Sequence, residues 1–262
     1  MENESVSPHF EEPPPRAPIL MGILNLTPDS FSDGGLFLDP TAALDQALAL
    51  EANGADLIDV GAESTRPGHQ LVSEAEELRR LIPVLDRLAS TLKIPISIDT
   101  SKAAVAKAAF DHGAVLLNDV AALSRPGMAE FARHGDFPVV LMHGVAHVLS
   151  DADPDPSATI AAWLTARIQE LDIDPARVVL DPGIGFGTTR AQDAAILENL
   201  APLVALGHPL MIGLSRKRLV RTLCPGQDLD QASAQIALQA WQNGANILRL
   251  HELKPIQHKT TA

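Results

Sequence analysis

The sequence has one cysteine, no tyrosine, seven phenylalanines and two tryptophans in 262 residues. A lone thiol, Cys224, cannot build an internal disulfide framework and fits a reducing compartment, so the cytoplasm is the expected location. No apolar run reaches the ~20 residues that span a bilayer. The opening Met-Glu-Asn-Glu is acidic where a secretory signal would be basic. Basic residues are also outnumbered: 20 Lys and Arg against 33 Asp and Glu give a formal net charge of −13, which argues against nucleic acid as a partner. A local basic cluster would still suffice for a small anion.

With aromatics at 3%, the filling falls to Ala, Leu, Ile and Val within a hydrophobic share of 46%, a composition that suits helices packed on short parallel strands. A chain of this length buries roughly three quarters of its unfolded surface around one core. Residues 1–16, with Pro13-Pro14-Pro15 and several glutamates, read as a flexible polar tail, and 17–262 as one domain. From there short apolar runs alternate with segments of helical periodicity. The runs are 19–24, 57–60, 94–98, 115–117, 139–141, 178–180, 210–214 and 247–250; the helical segments are 40–53, 74–91, 102–112, 126–134, 157–172, 191–205 and 228–243. Gly54, Gly113, Gly135, Gly207 and Gly244 fall where a helix would stop before the next strand. Eight strands with helices between them predict an α/β fold, a closed (β/α)8 barrel of TIM type. The basic, polar end Lys254–Lys259 gives little support for a full closing helix, so the last helix reads as truncated.

A barrel of this kind carries its chemistry at the carboxyl ends of its strands. There the sequence is polar nearly throughout: Asn25, then Thr27–Gly35; Glu63-Ser64-Thr65-Arg66-Pro67-Gly68; Asp99–Lys102; Asn118-Asp119; Met142-His143; Asp181-Pro182-Gly183; Ser215-Arg216-Lys217; and Arg249 with His251. Any single acid so placed is more often a helix cap than a catalyst. Repetition at eight strand ends favours a site. Asp99, Asn118 and Asp181 suit a donor-rich ring edge, whereas Arg66, Arg249 and His251 suit an anion, the forked arginines fitting phosphate oxygens. Asn25 offers an oxygen to a magnesium ion that retains several waters. The ligand implied is a hydrogen-bonding ring with a negative tail. Gly183–Gly187 lacks the spacing of a dinucleotide fingerprint and reads as a tight backbone passing a flat ligand, with Phe186 available for ring contact. His143 and His147 stand four apart, but Gly144 between them speaks against a helical zinc pair.

Together, Gly22–Gly35, Glu63–Gly68, Leu180–Gly187 and Ser215-Arg216-Lys217, in this order from about residue 18 to His251, resemble the bacterial dihydropteroate synthases. The resemblance implies condensation of 6-hydroxymethyl-7,8-dihydropterin diphosphate with 4-aminobenzoate to 7,8-dihydropteroate and diphosphate, assisted by Mg2+, in a homodimer. It assigns Asp99, Asn118, Asp181 and Lys217 to the pterin, and Asn25, Arg66, Arg249 and His251 to the diphosphate and its metal. Thr65, Pro67, Phe186, Ser215 and Lys217 lie on motifs that look like the aminobenzoate pocket, where sulfonamides compete. Asp99, Lys217, Arg66 and Asp33 are the expected catalytic group.

Two loops depart from the family pattern. After the fifth strand stands Met142-His143-Gly144-Val145-Ala146-His147 rather than a Met-Gln-Gly type loop, and Thr188–Asp193 lacks the Lys and the His-Asn pair that relatives often carry. These departures leave a rival, a non-catalytic pterin-binding paralogue. A second rival, a pterin-dependent methyltransferase barrel, should lack the Ser-Arg-Lys and Thr-Arg-Pro segments present in this sequence.

Overall fold

The apolar runs become eight parallel strands, and the periodic segments between them become helices packed outside. The structure, a computed structural model, describes residues 17–27, 39–64 and 72–257. The predicted tail, residues 1–16, lies outside them.

In chain order the strands and main helices are β1 (Ile19–Asn25), α1 (Pro40–Ala52), β2 (Leu57–Gly61), α2 (Glu74–Thr91), β3 (Ile96–Asp99), α3 (Ala103–Asp111), β4 (Ala114–Asp119), α4 (Met128–His134) and β5 (Val139–Met142). There follow α5 (Pro156–Leu171), β6 (Val178–Asp181), α6 (Arg190–Glu198), α7 (Ala201–Val204), β7 (Met211–Gly213), α8 (Arg218–Leu223), α9 (Leu229–Gln242), β8 (Ile247–Leu250) and α10 (Lys254–Gln257). The strands are hydrogen-bonded in the order β6-β5-β4-β3-β2-β1-β8-β7. The ring is nearly closed: between β6 and β7 there is one parallel bridge, Leu180 to Leu210, where the Leu180 N–H donates to the Pro209 carbonyl at 2.8 Å.

Alternation along each strand sorts the side chains into two shells. Met21, Leu57, Leu116, Val140, Val179, Met211 and Ile247 pack only with one another and form the floor of the barrel interior. Their outward neighbours, among them Ile58, Ile98, Leu117, Leu180 and Leu248, join Leu50, Leu81, Leu85, Leu164 and Ile236 of the helices in one large cluster. Each such buried side chain contributes about 1.5–3 kcal/mol relative to exposure.

Helix starts follow local chemistry. The Asp39 carboxylate accepts from the Thr41 N–H ahead of Pro40, and Ser73 caps α2 above Glu74, Glu76 and Glu77. Thr189 and Gln192 form a reciprocal capping box on α6. Asp99, Asn118 and Asp181 occupy none of these positions, so the strand-end polar residues are not merely helix caps.

Some expectations shift. The helix expected over 191–205 breaks into α6 and α7, because Asn199 leaves the helical region at φ −134°, ψ 80° and Pro202, which has no N–H to continue the ladder, begins a new turn. Gly54, Gly113, Gly207 and Gly244 have positive φ at helix ends, whereas Gly135 has φ −86°. Gly135 is small for another reason: a Cβ there would fall 2.0 Å from the Phe137 ring. The short α8 was not foreseen. Past β8 the described chain forms the single turn α10. Among the described residues no helix is long and apolar enough to cross a membrane.

Candidate active site at the strand carboxyl ends

One step of two residues along the inward face changes the barrel from oil to charge. Above Leu57 stands Asp59, above Leu116 stands Asn118, above Val179 stands Asp181 and above Ile247 stands Arg249. Asp59, fully buried, accepts from the Ser97 hydroxyl at 2.6 Å, from Asn118 Nδ2 at 2.9 Å and from Arg249 Nε at 2.6 Å. A terminal nitrogen of Arg249 reaches the Asp99 carboxylate at 2.8 Å. Gly61, whose added Cβ would lie 3.3 Å from Asp99 Cβ, leaves the room in which Asp99 sits. Burial raises the Asp99 pKa to about 7; Arg249 opposes the shift, while Asp59, Asp119 and Glu77 reinforce it.

Asp181 and Lys217 face each other across the β6–β7 seam. Asp181 accepts from the Gly183 N–H at 2.7 Å, and burial pushes its carboxyl pKa up against the pull of Lys217. Lys217, partly open at the residue level, has its ammonium enclosed: it donates to the Ile184 carbonyl and lies 4.7 Å from the centre of the Phe186 ring. Desolvation lowers its pKa to about 8, with Asp181 opposing and Arg249 adding to the fall. The intervening Arg216 adopts φ +60° and turns away, its fork on Asp230 at 2.7 and 2.9 Å. That left-handed residue is what lets Ser215 and Lys217 both serve the site.

Beside this seam, along β7, β8 and β1, Asn25 Nδ2 meets His251 Nε2 at 3.2 Å, and His251 Nδ1 meets the Ser215 hydroxyl at 2.9 Å. An amide nitrogen can only donate, so Asn25 turns its Nδ2 towards the imidazole. The Asn25 amide oxygen is then the atom this residue can offer a cation. No group of three or more His, Cys, Asp or Glu among the described residues could cage a metal. One neutral oxygen fits a Mg2+ that keeps its waters and arrives with phosphate oxygens.

The two divergent loops interlock. The His143 N–H donates to the Asp181 carbonyl at 3.0 Å, and Gln192 Nε2 donates to the Ser150 carbonyl at 2.7 Å. Gly183 passes so close to the His143 carbonyl that a Cβ would lie 1.7 Å from its oxygen. Asp193 accepts from the Gly185 N–H at 2.8 Å and from Thr188 at 2.5 Å, giving the sixth loop its own internal fastening. His143 is buried, bonded through Nε2 to His147 Nδ1 at 2.9 Å and set edge-on to Trp163, while its Nδ1 makes no hydrogen bond. Burial holds its pKa down to about 4, helped by His147 and opposed by the nearby Pro182 carbonyl. The two histidines thus bond each other, in a loop rather than on a helix. At the rim Lys102 bridges Glu63 and buried Glu77, the latter at 2.5 Å, and Thr100 donates to Glu77 at 2.8 Å.

The structure gathers Asp99, Asn118 and Arg249 around Asp59, Asp181 with Lys217 and Phe186, and Asn25 with His251 and Ser215. Arg249 is already held by two carboxylates, which the reading of it as an anion holder did not foresee. Asp33, Thr65, Arg66 and Pro67 lie outside the described residues. Asp59 and Ser97 were missed because they stand inside apolar runs; the alternation Leu57-Ile58-Asp59 and Ile96-Ser97-Ile98-Asp99 carried the signal. Gln192 and Asp193 were read only as part of a stretch, Thr188–Asp193, that lacks the Lys and the His-Asn pair of relatives.

The sequence profile of a family described as pterin binding enzyme matches residues 21–251. The chain is 40% identical over 243 residues to the dihydropteroate synthase of Bacillus subtilis strain 168, covering 91% of this chain and 85% of that protein. It is similar to the Xanthomonas albilineans dihydropteroate synthase solved with 4-aminobenzoic acid, with 41% identity, TM-score 0.87 and coverage of 94% of this chain and 92% of the other. The same enzyme solved in complex with 7,8-dihydropteroate gives 38% identity, TM-score 0.83 and the same coverage, 94% and 92%.

Proposed function

The chain belongs to the pterin-binding enzyme family, and we propose that it condenses 6-hydroxymethyl-7,8-dihydropterin diphosphate with 4-aminobenzoate to give 7,8-dihydropteroate and diphosphate. The observation that carries this reading is the inward layer of Asp59, Asp99, Asn118, Asp181, Lys217 and Arg249, in a barrel similar over nearly its whole length to enzymes solved with aminobenzoate and with dihydropteroate.

A pterin presents ring N–H and amine donors beside a carbonyl. Asp181 and Asn118 suit the donors, and the Lys217 ammonium suits the carbonyl. The reaction breaks the bond between the pterin methylene and the diphosphate oxygen and forms one to the arylamine nitrogen, whose proton passes to water or to the departing diphosphate. Diphosphate leaves first in this reading, and the developing pterin cation is stabilised by the Asp99 carboxylate, which is fixed and nearly dry. No protein nucleophile takes part. Asn25 would hold Mg2+ and His251 and Arg66 the diphosphate; when bound, the metal neutralises charge on the leaving group. Asp33 and Arg66 belong to the same reading as groups of the first two loops that shield the cation from water. Thr65, Pro67, Phe186 and Ser215 would shape the aminobenzoate pocket.

A homodimer and a cytoplasmic location complete the reading; the single, buried thiol of Cys224 supports the latter. The test is diphosphate release by the purified protein with Mg2+, with both substrates and with pterin diphosphate alone. Release that requires 4-aminobenzoate and equals dihydropteroate formed is the expected result. Pterin binding without release would point instead to a non-catalytic paralogue.

A further inference from the structure

Asp59 is the most fully engaged side chain of the site, yet it belongs to none of the groups assigned to the substrates above. It lies on β2, has no exposed surface, and takes three donors from three other strands: Ser97 on β3 at one oxygen, Asn118 on β4 and Arg249 on β8 at the other. A carboxylate beneath the ligand layer that grips three strands can order what lies above it.

We infer that Asp59 is a positioning residue for the pterin: it fixes which way round the Asn118 amide stands and where the Arg249 guanidinium lies, so that the ring-reading surface exists before substrate arrives. The inference rests on the pterin-binding reading of the site. Its chemistry is that of a single amide. Asn118, 2% exposed, has its Nδ2 committed to Asp59 at 2.9 Å. The reversed amide would set oxygen against carboxylate oxygen and lose a charge-assisted bond, so one orientation holds. The Asn118 oxygen is thereby left as the acceptor, and the residue reads a donor on the ring. Arg249 is directed in the same way. With Nε on Asp59 and a terminal nitrogen on Oδ2 of Asp99, its plane is set by two carboxylates, and Asp99 keeps Oδ1 for a ligand. Ser97, donating to the remaining oxygen of Asp59, holds the carboxylate itself in place.

The test uses the full chain, with titration calorimetry of the pterin diphosphate and steady-state kinetics. Asp59→Asn should weaken pterin diphosphate binding by about 10-fold or more, the scale of a buried charge-assisted contact, while the KM for 4-aminobenzoate changes less than about 3-fold. In an Asn118→Ala background the same substitution should cost clearly less than in the wild type, since the amide is gone and only the Arg249 guanidinium remains to be placed. A second readout is electrostatic. The groups acting on Asp99 are Arg249 from β8, Asp59 from β2, Asp119 from β4 and Glu77 from α2. Removing the Asp59 charge leaves the Arg249 cation to Asp99, so the acid limb of the pH profile should move to lower pH.

Wild-type affinity in Asp59→Asn, or effects of Asp59→Asn and Asn118→Ala that simply multiply, would overturn the assignment. If Asp59→Asn does not fold, Ser97→Ala decides: it should weaken pterin binding by about 3-fold with aminobenzoate KM unchanged, and unchanged affinity overturns the inference. A wild-type protein that binds no pterin diphosphate would instead overturn the functional reading.

Discussion

Two layers of inward side chains stand in the same ring of strands, and they have opposite chemistry. The floor of Met21, Leu57, Leu116, Val140, Val179, Met211 and Ile247 is apolar and closed, whereas the layer one pleat higher is built from Asp59, Ser97, Asn118, Asp181 and Arg249. Both layers are buried or nearly so. The floor holds the ring of strands in register by packing, and in return the upper layer keeps charged groups dry without losing the backbone frame that aims them.

The contrast breaks most severely at Asp99. Asp99→Asn keeps the shape and removes the charge, so kcat should fall by about 10^3, on the scale of losing a fixed electrostatic partner of the transition state, with the melting temperature nearly unchanged. A loss below 10-fold in the diphosphate assay, taking about 10^3 as the expectation, would remove Asp99 from that role. The mirror experiment lies in the floor. Ile247→Ala should cost about 2–5 kcal/mol in denaturant unfolding while leaving kcat per folded molecule within about 2-fold. Lys217→Met should raise the KM for pterin diphosphate by about 10–100-fold, since a desolvated ammonium within the field of Asp181 is replaced by an apolar chain of similar shape.

The pH dependence sharpens the same contrast, because the floor has no titratable group. Asp99 must lose its proton to stabilise a cation, so kcat/KM for the pterin diphosphate should rise as pH passes about 7; Lys217 must keep its proton, so it should fall above about 8. A profile flat between about pH 6 and 9 would contradict both assignments. The smallest effect is expected from Gln192→Ala, which cuts one of the links between the fifth and sixth loops and should lower kcat/KM by about 2–3-fold.

The barrel itself was legible because alternation and helical periodicity are local: the spans 40–53, 74–91 and 247–250 differ from the observed elements by a residue at most. Asp99, Asn118, Asp181 and Lys217 were legible for a similar reason, standing at or beyond the end of apolar runs. Asp59 and Ser97 were not, because a polar residue flanked by Ile and Val reads as a fault in a core strand until the pleat is known to turn it inward. Its partners lie 38, 59 and 190 positions away in sequence, so no window could join them. The loops after β5 and β6 show the opposite failure. Measured against a family pattern they look impoverished, yet Thr188, Gln192 and Asp193 fasten them by other bonds.

The single bridge between β6 and β7 gives the barrel a preferred place to breathe. Seven of the neighbouring strand pairs are laced by a register of partners, while this seam has only Leu180 and Leu210. Local opening there should expose the Leu180 amide to hydrogen exchange before the amides of β1 to β3. Asp181 hangs from one side of that seam and Lys217 from the other. A pterin gripped by both would act as a stitch across it, so the ligand that the barrel selects would also be the piece that completes its circumference.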